Sequence, residues 1–322
     1  MLNVQILATH SLVDGKKIST KELIEKCAPE READELEKKI GIQNRYWMPP
    51  ETSFAEFGAR SLRESLIKAK LEAKDLSRVI FVNSTGGDYL VPATFNVICE
   101  KLGIIDTCDG FDLNNACVGF LTAFDIAARG VATGSGPVAI VMVELFSNYI
   151  DKSNPRPYLV FGDVAVSVIV GKADKECGIV SSHFMNMPQY INGVTLGHGG
   201  LTGKREIFQF NNPSDDFIQI TLDGLTRCID KVLDVSGQTL DEIEWIVLHQ
   251  PNGRMLEVYI EHLGISRRKV PNVVNAVGSI GSASMPAGLD KLLTGSNVRS
   301  GDRILMAGIG AGLSTGTVLY KV

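Results

Sequence analysis

A chain of 322 residues with 44% hydrophobic and 21% charged residues has the composition of an ordinary globular protein, long enough for one large domain or two similar ones. Its net charge of −5 offers no general attraction to nucleic acid or to an anionic membrane. Met1 to Leu7 lacks the basic segment and apolar core of a signal peptide, and no run approaches the ~20 apolar residues of a membrane span, so a cytoplasmic protein is expected.

After a first strand, Ser19 to Ile40 reads as one polar helix, with Ser19 or Thr20 as N-cap and Gly41 as the stop. A turn at Pro49-Pro50 precedes a helix that opens near Thr52 or Ser53 and carries Phe54, Phe57, Leu62, Leu66 and Ala69. Val79-Ile80-Phe81-Val82 is a buried-strand run; Ser84-Thr85-Gly86-Gly87 is a loop; a helix then runs from about Pro92 to Leu102 and stops at Gly103. Gly110-Phe111-Asp112-Leu113 reads as a short strand feeding Asn114-Asn115-Ala116-Cys117-Val118-Gly119-Phe120-Leu121, which sets Cys117 in the first turn of an apolar helix. Unpaired N–H groups and the positive end of the helix dipole there favour thiolate over thiol, the setting of a nucleophile. The other reading of any cysteine is inert core filler, and Cys27, Cys99, Cys108, Cys177 and Cys228 are assigned to it. Cysteines and histidines show no C-x-x-C pair and no clustered spacing, so no metal is expected.

The pattern of helix, strand, loop and helix recurs. From Asp216 a helix carries Ile218, Leu222, Leu225, Ile229 and Val232; the strand Trp245-Ile246-Val247-Leu248 follows, then the loop His249-Gln250-Pro251-Asn252, then a helix ending in Leu263-Gly264-Ile265, as the earlier one ended in Leu102-Gly103-Ile104. Val138 to Val143 has its counterpart in Ile304 to Ala307, each a central buried strand after a helix. A spacing this long is a duplicated α/β half, and two such halves imply an α/β fold layered as an α/β/α/β/α sandwich. The expected division is 1–179, a connecting cap or tunnel wall at 180–212, and 213–322. In this superposition Asn83 corresponds to His249, and the cysteine helix to the one starting at Ser282-Ala283-Ser284-Met285-Pro286. The pseudo-twofold brings Cys117 and His249 into one pocket.

Asn115-Ala116-Cys117, His249-Gln250-Pro251-Asn252, Gly278 with Ser282-Ala283-Ser284-Met285-Pro286, and Gly308-Ile309-Gly310-Ala311-Gly312-Leu313 occur in that order, with Phe161-Gly162-Asp163 between the first two. Together they resemble the signatures of the thiolase-fold condensing enzymes, above all β-ketoacyl-acyl-carrier-protein synthase III, over essentially the whole chain. The resemblance implies a five-layered thiolase-like sandwich and a homodimer. It implies that Cys117 attacks an acyl thioester and carries the acyl group, that the N–H groups of Cys117 and Ala311 form an oxyanion hole beside Gly310, and that His249 hydrogen-bonds the second thioester. It further implies an acyl-carrier-protein partner, and thioester substrates on coenzyme A or phosphopantetheine without a resident cofactor.

Four departures shape the expectation. Ser279 stands where the family carries asparagine, replacing a fixed amide by one rotatable hydroxyl, and a lost oxyanion donor of that kind costs roughly 10²–10³ in rate. Glu35 and Lys39 replace the family's adenine clamp, which favours donors borne on carrier protein. Arg254 matches the family's carrier-docking arginine, with Asn252 in the same loop, whereas Glu261 and His262 replace later basic positions. Val91, matching the residue that lines the partner's acyl pocket, leaves room for a longer or branched acyl group. Beside a decarboxylating condensation stand two other readings: acyl transfer to a hydroxyl, amine or other nucleophile, and a non-catalytic partner subunit, against which the intact Cys117 and His249 argue.

Overall fold

Continuous apolar runs in both halves of the chain become strands buried on both faces, as their composition demands. The computed structural model describes residues 1–322 except 175, 199–206, 212–215 and 296. In chain order the strands are β1 (Leu2–Leu12), β2 (Lys16–Ser19), β3 (Asn44–Trp47), β4 (Arg78–Val82), β5 (Asp109–Leu113), β6 (Val138–Leu145), β7 (Asp163–Lys172), β8 (Gly178–Asn186), β9 (Val194–Thr195), β10 (Gln209–Phe210), β11 (Trp245–Leu248), β12 (Arg303–Gly310) and β13 (Ser314–Lys321). The principal helices are α1 (Thr20–Cys27), α2 (Ala33–Ile40), α3 (Phe54–Ala69), α4 (Thr94–Leu102), α5 (Gly119–Ala132), α6 (Phe217–Ser236), α7 (Gly253–His262) and α8 (Ser284–Thr294).

The main sheet has the order β11-β12-β13-β8-β1-β7-β6-β4-β5. Read outward from its middle, β1-β7-β6-β4 is repeated as β8-β13-β12-β11, with the last pair parallel and the other pairs antiparallel in both arms. The duplication is therefore one of topology as well as of pattern. The arms meet where β1, paired with β7 from Val4 to Leu12, touches β8 through Leu2 and Asn3.

Side-chain alternation along the strands divides the core into layers. Ile80, Val82, Ile140 and Met142 of the first arm face α5 and α8, which also cover Val247, Ile304, Met306 and Val318 of the second. The alternate residues Val79, Phe81, Ala139, Val141 and Val143 face α3. Ile246, Leu248, Leu305, Ala307 and Ile309 face α6 and α7. The result is the five-layered α/β/α/β/α sandwich, with α5 and α8 as the shared middle layer.

Two expectations are corrected. The polar segment from Ser19 to Ile40 is two helices, because Pro29 excludes Ala28 from the α region and Ala28 stands at φ −151, ψ 54. Its ends are as expected, with Ser19 accepting from the Glu22 N–H and Gly41 left-handed at φ 73. The segment 180–212 does not begin as a cap: Val180 to Asn186 completes β8, paired along β13 inside the sheet. Only its later part covers the body, through the β9–β10 ribbon, where Phe208 and Phe210 pack on Phe161. Residues 199–206 and 212 of that segment lie outside the described residues.

Candidate active site

β5 delivers the chain to a 3₁₀ turn, Ala116–Val118, from which α5 departs. Ala116 is held at φ 44, a left-handed conformation that a non-glycine residue adopts only when its surroundings impose it. Asn114 accepts the Ala116 N–H at 3.0 Å, and Asn115 donates to Thr122 at 2.9 Å, so both flanking asparagines fasten the turn. The turn is pressed onto the β12–β13 hairpin. A Cβ on Gly310 would lie 2.9 Å from the Cys117 nitrogen and 3.3 Å from its Cβ, and one on Gly316 would lie 2.7 Å from Val118 Cγ1. Glycine at 310 and 316 is what lets the nucleophile's turn approach the second half.

His249 follows β11, its N–H donating to Ala307 of β12 at 3.0 Å. A Cβ on Gly308 would lie 3.1 Å from the His249 Cβ, so His249 stands beside Gly308 as Cys117 stands beside Gly310. Two residues along a strand separate the pair by roughly 7 Å, space for one thioester carbonyl. His249 is 5% exposed, and neither ring nitrogen has a protein partner. Burial holds its pKa down to about 4, leaving a neutral imidazole at pH 7 with a donor and an acceptor to offer.

Ser279 is buried and fixed by its backbone. Its N–H donates to Val160 at 2.7 Å and its carbonyl accepts from Gly162 at 3.0 Å, so the Phe161-Gly162-Asp163 motif serves to anchor this loop. Gly278 before it has φ 78, and a Cβ there would lie 2.9 Å from the Val160 oxygen. Asn275 does not stand in for the missing amide: it donates to the Gly41 carbonyl at 3.4 Å and lines a surface cavity. Ala311 lies in the turn between β12 and β13.

The other sequence-predicted residues are placed by their own partners and exposure: Asn252 at a helix start, Arg254 at a surface cavity and Val91 on the surface. Asn252 caps α7, accepting from the Met255 N–H at 2.9 Å, and sets the helix that carries Arg254. Arg254 lines a surface cavity of about 490 Å³ with Lys38, Lys39, Gly41, Asn272 and Asn275. Here α2 of one half meets α7 of the other, with a Cβ on Gly41 falling 2.7 Å from Gly253 Cα. Val91 is 86% exposed in the single chain, next to exposed Leu90 and Tyr89.

One electrostatic expectation is overturned. The start of the helix does not make Cys117 a ready thiolate: burial, followed by the charge of Glu144, pushes its pKa up to about 12, and its own backbone N–H offsets this only in part. Glu144, whose charge acts on Cys117, is a buried side chain to which the sequence draws no attention beyond its place directly after the apolar run Val138 to Val143.

The profile described as 3-oxoacyl-[acyl-carrier-protein (ACP)] synthase III matches residues 111–188, and that of the synthase III C-terminal part matches 233–322, together just over half of the chain. The β-ketoacyl-[acyl-carrier-protein] synthase III of Neisseria gonorrhoeae is 28% identical over 326 residues, covering 100% of both chains. The crystal structure of 3-oxoacyl-[acyl-carrier-protein] synthase III from Aquifex aeolicus superposes with a TM-score of 0.90 at 22% identity, covering 99% of this chain and 100% of that one. The priming β-ketosynthase of the R1128 polyketide pathway superposes with a TM-score of 0.90 at 24% identity, covering 99% and 96%.

Proposed function

The chain belongs to the 3-oxoacyl-[acyl-carrier-protein] synthase III family of condensing enzymes, and we propose that Cys117 is the acyl-bearing nucleophile of its reaction. It is an acyltransferase of the type that primes fatty-acid or polyketide chains. The observation that carries the assignment is the pairing of Cys117, on its strained turn, with a buried His249 whose two ring nitrogens are unpartnered, both lined against β12.

In this reading the Cys117 sulfur displaces the donor's thiol from the acyl thioester, the Cys117 proton ending on that departing thiol, with the N–H groups of Cys117 and Ala311 receiving the developing oxyanion. Neutral His249 then donates to the carbonyl of a malonyl-type thioester as carbon dioxide leaves, and the resulting enolate attacks the acyl carbonyl, breaking its bond to the Cys117 sulfur, which leaves as thiolate and takes up a proton as the 3-oxoacyl product forms. Ser279 faces that second thioester. Its hydroxyl reaches through a bridging water where an amide would bond directly. For this reason a second reading is kept, in which the acyl group passes to a hydroxyl, amine or other nucleophile without decarboxylation.

Lys38, Lys39 and Arg254 line one surface cavity, together with Glu257 and Glu261, and offer cations to the phosphate of a phosphopantetheine arm on acyl carrier protein. No resident cofactor is part of the reading. A homodimer is supported by β5, which ends the sheet with one edge unpaired among the described residues, and by the exposed apolar group Tyr89, Leu90, Val91 and Ile105. No described helix is long and apolar enough to cross a membrane, in keeping with a cytoplasmic enzyme.

Intact-mass measurement after incubation with a panel of acyl thioesters tests the nucleophile. An acyl adduct is expected on the wild type and not on Cys117→Ala; no adduct, or one that survives the substitution, refutes the assignment. Carbon dioxide release from malonyl-carrier protein separates the readings, since turnover without it favours the second.

A further inference from the structure

β6 is apolar from Val138 to Val143 and then presents Glu144, a carboxylate with no exposed surface. Burial of such a group demands partners. It accepts hydrogen bonds from the Ser84 hydroxyl at 2.7 Å and N–H at 3.3 Å, and from the Ser282 hydroxyl at 2.6 Å and N–H at 3.2 Å. Ser84 belongs to the loop after β4 in the first half, and Ser282 to the turn that starts α8 in the second. One carboxylate thus fastens the two halves at the seam, where the mechanism above gives it no part.

The space around it is closed. A Cβ on Gly281 would lie 3.2 Å from Glu144 Oε1 and 2.5 Å from the Phe146 ring. Ser282 in turn packs towards the start of the cysteine helix, for a Cβ on Gly119 would lie 3.8 Å from the Ser282 Cβ. Glu144 is therefore linked through Ser282 to Gly119, which opens α5 two residues after Cys117.

The elements packed against Glu144 bring few titratable groups to it. The β4 loop and the α8 turn offer serine hydroxyls and N–H groups; the turn before α5 brings Cys117, on whose thiol the Glu144 charge acts; His249 is governed by burial alone. We propose that Glu144 is a positioning residue of this site, locking Ser84 and Ser282 across the seam and linking to the start of α5 a titratable carboxyl that controls the nucleophile's reactivity. The proposal rests on Cys117 as the nucleophile.

Burial holds the Glu144 pKa up to about 7 against the four hydrogen bonds that favour its charge. Ionised, it opposes thiolate formation; neutral, it does not. Carboxylate with thiol and carboxylic acid with thiolate contain the same number of protons, so above the Glu144 ionisation the thiolate population stays level over a window as wide as the coupling between the two groups, until carboxylate with thiolate takes over.

The test is the rate of Cys117 alkylation by iodoacetamide across pH, followed by intact mass, with Cys117→Ala reporting alkylation of the other cysteines. In the wild type the logarithm of the rate rises up to pH about 7, flattens over about one pH unit, the width of the coupling, and rises again at higher pH. In Glu144→Gln it rises in a single step and is roughly tenfold faster at pH 9, the change for one unit of coupling. Glu144→Asp restores the two steps. Identical single-step profiles in wild type and Glu144→Gln overturn the proposal. If Glu144→Gln does not fold, the wild-type profile decides alone, and a single step refutes the role. Alkylation needs no thioester, so a two-step profile without any acyl adduct sinks the condensing assignment and leaves this one standing; an acyl adduct with a single step does the reverse.

Discussion

Gly310→Ala is the smallest change that should disable acyl loading while leaving the fold intact. The added methyl would stand 2.9 Å from the Cys117 nitrogen and 3.3 Å from both the Cys117 Cβ and the Val118 nitrogen. Relief requires the cysteine turn to retreat from β12 by roughly 0.5 Å, since carbon and its neighbours settle near 3.5 Å. An overpacked contact of this kind costs about 1–3 kcal/mol. The turn has little freedom to yield, because Ala116 is already left-handed and Asn114 and Asn115 hold it on both sides. A 1 Å misplacement costs about 10²-fold in a positioned reaction, so half of that should slow acyl-adduct formation by roughly tenfold or more. The assay is the time course of the adduct by intact mass, with circular dichroism and thermal melting as controls for folding. A folded Gly310→Ala protein that loads within twofold of the wild type would show that β12 does not set the nucleophile's position.

Ser279→Asn restores a fixed amide donor and should raise carbon dioxide release from malonyl-carrier protein by roughly 10-fold or more; an unchanged rate would mean that Ser279 does not face the second thioester. Arg254→Glu should raise KM for carrier-borne donors about tenfold while leaving short free thioesters unaffected, and equal effects on both would remove Arg254 from the docking surface. The stability of the fold should carry two opposed pH dependences. His249 is held below its unfolded value of 6.5, at about 4, so its contribution is present above 6.5 and lost as pH falls through that window, by roughly 3 kcal/mol. Glu144 is raised from 4.5 to about 7, so its contribution is present below 4.5 and lost as pH rises towards 7. Denaturant titrations should therefore show His249→Gln losing stability, relative to wild type, as pH rises from 4.5 to 6.5, and Glu144→Gln losing it as pH falls through the same range; parallel slopes would refute the assignment.

Local chemistry made much of the fold legible. Gly41 and Gly103 end α2 and α4 in the left-handed conformation that their reading as helix stops implies. The repeated strands were readable because β4, β6, β11 and β12 are apolar on both faces. β8 escaped notice for the opposite reason: it is central, yet it carries Ser181, Ser182 and His183, and Ser182 is satisfied by Asp125 at 2.7 Å. Only tertiary partners make such a strand tolerable. At the site, the duplication placed Cys117 and His249 together, while the thiol's proton affinity was misjudged because a helix start is visible in sequence and the protein packed around it is not. Glu144 went unseen because its two partners, Ser84 and Ser282, lie in different halves and are uninformative until the seam closes.

The middle layer has a consequence for dissecting the protein. α5 and α8 pack against both arms, and β1 is paired on one edge by β7 and touches β8 at the other. Expressed separately, each half would present a bare apolar wall to solvent, so neither fragment is expected to be soluble alone. Produced together as two chains, the fragments should find each other and regain a reactive Cys117. The chain is thus a permanent heterodimer of its own halves, tied by peptide bonds.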